Sequence, residues 1–332
     1  MSGGGGVMIG VTMGDANGVG PEIVLKARGE GRLGAPFVVY GEMAALRYYD
    51  RALGYGVPLR RAESPRDHEP GALNVLDLGL LRESDVRPGE LSAEAGRAAR
   101  EAVVRAARAA LAGEIDAIVT LPVNKQAIQL GDPRFTGHTE LLGEVCGASD
   151  VTILLASERL MVSHVSTHCS LREAIGRVTP ERVRKILELT CEAAQRLKPG
   201  ARVAVAGLNP HAGEEGAFGD EEIRVIAPAV EWARAQGWPV EGPLPPDTLF
   251  YLAAVRGRYD AIVCMYHDQG HIPLKLLDFE GGVNVTLGLP IVRTSVDHGT
   301  AFDIAGKGVA SVESFVAAFR MAERLAAGRR AG

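Results

Sequence analysis

Two histidines, an aspartate, a glutamine and a lysine lie within one short stretch of the sequence. The stretch CMYHDQGHIPLK runs from Cys264 to Lys275 and overlaps an apolar run, YDAIVCMY, that is typical of a buried strand. Imidazoles, a carboxylate, an amide and an ammonium group at the end of a strand suit a site that holds a metal ion and an anionic substrate.

Two further histidines also follow apolar runs. His168 follows LMVSHVST, and His211 follows RVAVAGLNP, whereas His267 follows DAIVCMY. In an open α/β sheet, ligands gather at the carboxyl ends of strands, and three imidazoles meeting there would suit a divalent cation such as zinc. Because the three histidines are far apart in the chain, the residues alone leave open that each one caps a strand and bonds to backbone.

A second group of residues is suited to anion binding. GHTELL places His138 and Thr139 at the start of a short predicted helix, where backbone N–H groups favour phosphate or carboxylate. Three further polar residues lie on strand edges and loops downstream: Lys275, Asn284 and Arg293.

Burying a lysine or an arginine without a partner is costly. An anionic substrate would explain Lys275 and Arg293, but ion pairs with Asp278 or Asp297 would explain them equally well. Asp247, in PPDTLF, is a candidate base or substrate contact, and the alternative is a helix N-cap.

The glycine-rich stretch GDANGVGPEI follows the first predicted strand. Its glycines at 14, 18 and 20 do not match the dinucleotide-binding spacing, since position 23 is isoleucine, and no P-loop lysine follows. A tight strand-to-helix turn with Pro21 as the first helical residue fits better. Asp15 or Asn17 could still line the active cleft.

Predicted strands alternate with predicted helices along nearly the whole chain. The strands are VMIGVTM, PFVVYG, LNVLDLG, DAIVTLP, VTILLAS, RVAVAGL, DAIVCMY and VNVTLGLPIV. Two long amphipathic helices follow Ser92 and Thr179 as N-caps, and a last helix is predicted near 312–327. The alternation predicts two α/β/α domains with mostly parallel sheets: 1–130 plus 305–332, and 131–304 with the metal and cofactor loops.

Composition excludes several classes of protein. The 332 residues are 46% apolar with a net charge of −5, no basic stripe and no apolar run of transmembrane length, so we expect neither nucleic acid nor a membrane as partner. The start has no signal-peptide pattern, and the four cysteines lack metal-site spacing. We expect a cytoplasmic enzyme with reduced thiols.

Residues 298–308, HGTAFDIAGKG, resemble the cofactor loop of the isopropylmalate and isocitrate dehydrogenase group, which binds NAD(P) without a Rossmann fold. The whole chain resembles the 4-hydroxythreonine-4-phosphate dehydrogenase family of pyridoxal phosphate synthesis. The motifs that carry this resemblance are GDANGVGPEI, LPVNK, GHTELL, THCSLREA, GLNPHAGEEG, PPDTLF, YHDQGHIPLK and GLPIVRTSVDHGTAFDIAG.

This resemblance implies an active-site cleft between domains, NAD or NADP as cofactor, one divalent cation (zinc first, magnesium or cobalt as alternatives), and a homodimer that shares the metal site. It implies metal ligands at His168, His211 and His267, substrate contacts at His138, Thr139, Lys275, Asn284 and Arg293, and nucleotide contacts at Gly299, Thr300 and Asp303. Asp247 and Lys275 are then the candidate catalytic residues.

The implied reaction is oxidation of 4-hydroxy-L-threonine 4-phosphate to a 3-oxo acid, which decarboxylates to 3-amino-2-oxopropyl phosphate. The sequence departs from the family pattern at Ala16 and Asn17, after His168, and at Glu215 and Ala217. A related dehydrogenase acting on 4-phospho-threonate, 4-phospho-erythronate or a cyclic dihydrodiol carboxylate is therefore the alternative. A non-catalytic protein that binds an acidic metabolite is a third hypothesis.

Overall fold

The computed structural model describes residues 6–278 and 281–331. The chain divides into two compact units: unit 1 comprises Met1–Ser149 and Leu289–Gly332, and unit 2 comprises Asp150–Gly288. The first boundary falls later than position 130 and the second earlier than position 305, so residues 298–308 lie in unit 1 and not in the unit that contains the predicted metal ligands.

Twelve strands lie in the part of the chain that the structure describes. They are β1 Ile9–Thr12, β2 Phe37–Gly41, β3 Leu59–Arg61, β4 Leu73–Asp77, β5 Ala117–Thr120, β6 Thr152–Ala156, β7 Met161–His164, β8 Val203–Ala206, β9 Val240–Leu244, β10 Ala261–Cys264, β11 Val283–Leu287 and β12 Val292–Ser295.

Eleven α-helices connect and cover these strands within the described ranges. They are α1 Gly20–Gly29, α2 Met43–Leu53, α3 Ala93–Leu111, α4 Lys125–Gln129, α5 His138–Cys146, α6 Leu171–Gly176, α7 Pro180–Leu197, α8 Ala227–Ala235, α9 Pro246–Ala254, α10 His267–Leu277 and α11 Glu313–Ala331. None of the described helices has the length and apolar character needed to cross a bilayer.

The sheet of unit 1 has the order β3-β4-β2-β1-β5-β12, and every pairing is parallel. In unit 2 the order is β11-β6-β7-β10-β8-β9. There β6 runs antiparallel to both of its neighbours, and the other pairings are parallel. The predicted α/β fold with mostly parallel sheets is confirmed.

The apolar runs become strands because both faces of each sheet are covered. Strands β1, β5, β8 and β10 are buried at every position, as expected for parallel strands between helical layers. In unit 1 the alanine-rich face of α3 packs on one side of the sheet. Helix α11 covers β5 and β12, and its Phe319 meets Phe37 edge to face at 5.5 Å.

Local signals set the helix ends as predicted. The hydroxyl of Ser92 accepts a hydrogen bond from the Ala95 N–H, and that of Thr179 accepts one from the Arg182 N–H. Pro180 opens α7, where its missing N–H costs no hydrogen bond. The run VNVTLGLPIV, however, forms two strands, β11 and β12, rather than one.

Candidate functional site

Four histidines of unit 2 form a compact group, called here the histidine cluster: His164, His168, His267 and His271. His267 opens α10 directly after β10, and His271 lies one turn later, with the two rings stacked 3.7 Å apart. The centroids of His168 and His267 are 5.6 Å apart, and those of His164 and His271 are 4.6 Å apart. Two predicted metal ligands, His168 and His267, therefore meet.

Hydrogen bonds orient the rings of the histidine cluster. The carboxylate of Asp268 lies 2.7 Å from Nδ1 of His267, which assigns the proton to Nδ1 and leaves Nε2 as a free electron-pair donor. His271 Nδ1 lies 3.1 Å from Nε2 of His164. Burial, with smaller contributions from His271 and His267, lowers the pKa of His164 to about 3, so this imidazole stays neutral.

His211 lies on an unusual turn after β8. Residues 211–216 all have positive φ, with His211 at 52°, Ala212 at 55°, Glu214 at 43° and Glu215 at 55°. A left-handed turn costs L-residues roughly 1–2 kcal/mol each. The His211 side chain is 60% exposed, and its ring lies near the side chains of Phe218 and Glu214. The structure does not bring His211 to the histidine cluster.

The histidine cluster has part of what a divalent ion requires. Two imidazoles that share one zinc ion, with Zn–N bonds of about 2.0–2.1 Å, place their ring centres roughly 5–6 Å apart, as His168 and His267 do. The Asp268–His267 bond is the outer-shell contact typical of a metal-bound histidine. Within 6–278 and 281–331, however, no three His, Cys, Asp or Glu side chains are arranged to hold an ion.

One amide connects α10 with the end of β8. The buried side chain of Gln269 accepts a hydrogen bond from the Met265 N–H at 2.7 Å and donates one to the Gly207 carbonyl at 2.7 Å. It thereby fixes the start of the His267 helix against the segment that leads to His211. The sequence showed Gln269 only as a neighbour of His267, without this contact.

The predicted anion site of unit 1 contains a buried guanidinium. Arg293, on β12, is 4% exposed and donates to the hydroxyl of Thr120 at the end of β5. Burial lowers the pKa of Arg293 to about 10, so it keeps its charge at neutral pH. A buried, positively charged group that reaches the carboxyl end of β5 is suited to bind an anion.

His138 and Thr139 open α5, as the sequence predicted. Nε2 of His138 is buried and has no hydrogen-bond partner among the described residues. Burial lowers the pKa of His138 to about 3, with added effects from the positive charges of Arg293 and Lys125. The imidazole is therefore neutral, and its Nε2 can form one hydrogen bond with a ligand, as donor or as acceptor depending on the tautomer.

Asp15 is the buried acid of unit 1. It is 1% exposed, its Oδ1 accepts from the Asn17 N–H at 2.9 Å, and its Oδ2 has no partner in the described part of the chain. Burial raises the pKa of Asp15 to about 6, against the lowering effect of hydrogen bonds from the Asn17 and Asn124 backbone. In the sequence, Asp15 is only a residual candidate for lining the active cleft.

The other predicted contacts of unit 2 are dispersed over three elements. Lys275 follows His267 and His271 at four-residue steps, which places the three on neighbouring positions of one side of α10. Asn284 lies on β11, opposite Leu155 of β6. Asp247 is exposed in the first turn of α9, within the helix and not at its N-cap, which is Pro245.

The predicted cofactor residues lie on the loop before α11. Gly299 and Asp303 are exposed, and the carbonyl of Thr300 accepts a hydrogen bond from the Val19 N–H at 3.0 Å. The carboxylate of Glu22 in α1 accepts from the Gly306 N–H at 2.8 Å. The first glycine-rich stretch thus supports the 298–308 loop from behind.

Gly18 shows why that stretch needs glycine. A Cβ at position 18 would lie 3.0 Å from both the Cβ and the carbonyl oxygen of Thr300, which is closer than side chains normally approach. The GDANGVG stretch is therefore built for close packing of two loops.

Comparison with known proteins identifies the class and then the family. The α/β fold matches the crystal structure of a 4-hydroxythreonine-4-phosphate dehydrogenase from Klebsiella pneumoniae, with a TM-score of 0.87 and 46% identity, over 96% of this chain and 99% of that one. The chain is thus an oxidoreductase of the dehydrogenase type. Residues 33–322 match the family described as pyridoxal phosphate biosynthetic protein PdxA, and the chain belongs to that family.

Curated relatives carry two different substrate names. A D-threonate 4-phosphate dehydrogenase of Salmonella typhimurium is 46% identical over 96% of this chain and 98% of its own length. A 4-hydroxythreonine-4-phosphate dehydrogenase of Geobacter metallireducens is 47% identical over 95% of this chain and 94% of its own length. The two identities are too similar to assign one substrate.

Proposed function

We propose that this protein oxidises the secondary hydroxyl of a four-carbon acid phosphorylated at C4, with NAD or NADP as hydride acceptor and with one divalent ion. Both substrates named for the relatives, 4-hydroxythreonine 4-phosphate and D-threonate 4-phosphate, belong to this class. The observation that supports it best is the buried Arg293 beside neutral His138, since a dry guanidinium favours a phosphate over a neutral ligand.

In unit 1, the residues assigned to the anion are Arg293, His138 and Thr139. Arg293 supplies the charge, and the start of α5 supplies backbone N–H groups. His138 is neutral, so it can accept a hydrogen bond as well as donate one, which suits a substrate hydroxyl. The 298–308 loop of the same unit, with Gly299, Thr300 and Asp303, is assigned to the nucleotide.

In unit 2, the residues assigned to the metal ion are His168, His267 and His211. A divalent ion held by these residues would supply Lewis-acid chemistry that makes the substrate's secondary hydroxyl easier to deprotonate. Asp268 holds the tautomer of His267. Lys275 is assigned to the substrate's anionic groups and Asn284 to its polar ones, and Asp247 remains the candidate base.

The remote position of His211 favours a shared site. We assign His168 and His267 to the ion of one chain and His211 to that of its partner in a homodimer. In this arrangement, mixing His168→Ala chains with His211→Ala chains restores activity, because one site of each mixed dimer has all three ligands. No recovery after mixing would mean that each chain supplies its whole ligand set.

His211→Ala tests the metal assignment directly. We expect this variant to lose turnover of the phosphorylated substrates while its thermal unfolding stays close to that of the unchanged protein, since the side chain is exposed. His68→Ala, a partly buried histidine of unit 1, is the matched control and should keep full activity. Full activity of His211→Ala after chelator treatment would remove His211 from the proposal.

A substrate panel decides between the two candidate acids. They differ at C2, which carries an amino group in 4-hydroxythreonine 4-phosphate and a hydroxyl in D-threonate 4-phosphate. Reduction of NAD and of NADP is followed with each acid and with its unphosphorylated form. Equal turnover without the phosphate would contradict the role given to Arg293, and no turnover with any member would refute the proposed substrate class.

A further inference from the structure

Glu222 is a buried carboxylate that the proposed reaction does not use. It begins a π-helical turn, Glu222–Ile226, and is 3% exposed. Within the described residues it forms no ion pair. Its hydrogen-bond partners in the described part of the chain are N–H groups: Oε1 lies 2.7 Å from the Leu208 N and 2.8 Å from the Asn209 N, and Oε2 lies 3.0 Å from the Asn209 side-chain amide.

The Glu222 carboxylate also fills the inside of the left-handed turn at 211–216. A Cβ on Gly213, which has φ of +80°, would lie 2.7 Å from Glu222 Oε2. The turn is closed by bonds from the Ala217 N–H to the Glu214 carbonyl and from the Phe218 N–H to the Gly213 carbonyl. Glu222 therefore bonds the segment before the turn and packs against its centre.

Consecutive L-residues in left-handed conformation persist only where surrounding contacts enforce them, and such strain gathers at functional sites. We infer that Glu222 is a positioning residue: it holds the left-handed turn and so sets the direction in which His211 is presented to the metal ion. This inference rests on the proposed function, because that proposal makes His211 a ligand.

Glu222→Gln is the primary test. The glutamine keeps the shape, but one of its terminal atoms becomes a donor facing N–H donors, so the anchor is weakened. We expect affinity for Zn²⁺ or Co²⁺, measured by competition with a chelating dye, to fall about tenfold, as for other residues that orient metal ligands. Hydrogen exchange of the Leu208 and Asn209 amides should speed up in the metal-free protein.

Two further variants control this test. Asp220→Asn removes the same charge two residues away, from an exposed pair with Arg224, and should change neither metal affinity nor exchange. Asn209→Ala removes only the side-chain amide that bonds Glu221 and Glu222, and it should cause a smaller loss of affinity. Because Asn209 lies on a loop, this variant keeps the test available if Glu222→Gln does not fold.

His211→Ala separates the inference from the proposed function. If His211→Ala lowers metal affinity and neither Glu222→Gln nor Asn209→Ala does, Glu222 is not a positioning residue although the ligand assignment holds. If His211→Ala leaves the affinity unchanged, the ligand assignment fails. Amide hydrogen exchange at Leu208 and Asn209 then becomes the only test of the role of Glu222. Faster exchange in Glu222→Gln supports the anchoring of the turn, and unchanged exchange overturns it.

Discussion

Two charged candidate residues of unit 1 are buried, whereas two proposed metal ligands of unit 2 are open to water. Asp15 and Arg293 are 1% and 4% exposed, and their backbones lie in or directly after buried strands. In unit 2 the His267 side chain is 36% exposed and that of His211 is 60% exposed. The same α/β plan therefore supports two kinds of site.

The difference agrees with the ligands that we propose for the two units. A charge held in a low-dielectric environment is costly by itself and interacts strongly with a ligand of opposite charge, which suits the proposed anion site of unit 1. A metal ion arrives with its own charge and hydration shell, so its ligands need only be oriented neutral donors. Unit 2 supplies these through Asp268 and the stacked rings.

The largest effect is expected at the dry site. Arg293→Met should lower kcat/KM for the phosphorylated substrate roughly a thousand-fold, about 4 kcal/mol, since charge-assisted hydrogen bonds to the anion are lost. The unfolding temperature should change little, because removing a buried charge offsets the loss of the hydrogen bonds from Arg293 to Thr120. Arg61→Met, at an exposed arginine near Asp77, is the control. Normal kinetics in Arg293→Met would show that the dry guanidinium is structural.

The second-largest effect is expected in the pH dependence of the free energy of unfolding. Burial raises the pKa of Asp15 from 3.8 to about 6, so the folded state holds a proton that the unfolded chain releases at lower pH. The stability contributed by this proton is full below about pH 4 and is lost as pH rises through about 6, by on the order of 2–3 kcal/mol.

Asp15→Asn should remove this loss. Urea unfolding should find the variant more stable than the unchanged protein above about pH 7 and similar to it below about pH 4. The comparison is made as a difference between the two proteins, because other groups titrate as well. Parallel stability curves over this pH range would show that Asp15 is not the dry acid described above.

The smallest effect is expected in unit 2. Asp268→Asn should lower metal affinity about 10–100-fold by weakening the bond that orients His267, while activity at saturating metal concentration changes little. Dye competition measures the affinity, with Asp220→Asn as the exposed control. An unchanged affinity would mean that metal binding in unit 2 does not depend on the Asp268 carboxylate. The proposed difference between the two units would then lack support.

The sequence predicted those features that depend on local signals. Apolar runs located most strands, and the caps at Ser92 and Thr179 fixed two long helices. Two short strands, β3 and β9, were not predicted, and β7 was indicated only as the apolar run before His168. β3 carries two arginines and β9 contains a Gly-Pro pair, which are poor strand signals, and pairing with neighbours overrides them.

Site residues that depend on contacts between distant segments were harder to predict. His164 and His271 were not among the predicted metal ligands, yet they belong to the histidine cluster, since β7 and α10 meet only in the folded chain. Glu222 and Gln269 gave no motif, because their partners are backbone groups, which any residue supplies. For Glu222, the one local hint was the glycine-rich stretch it supports.

The contact between Gly18 and Thr300 has a consequence for protein engineering. Replacing residues 298–308, which we propose to contact the nucleotide, with the loop of another dehydrogenase would change only one of two segments that pack against each other. Such a graft would also need matching residues at positions 14–22. The Thr300 carbonyl accepts a hydrogen bond from the Val19 N–H, and the Glu22 carboxylate accepts one from the Gly306 N–H, so the two segments depend on each other.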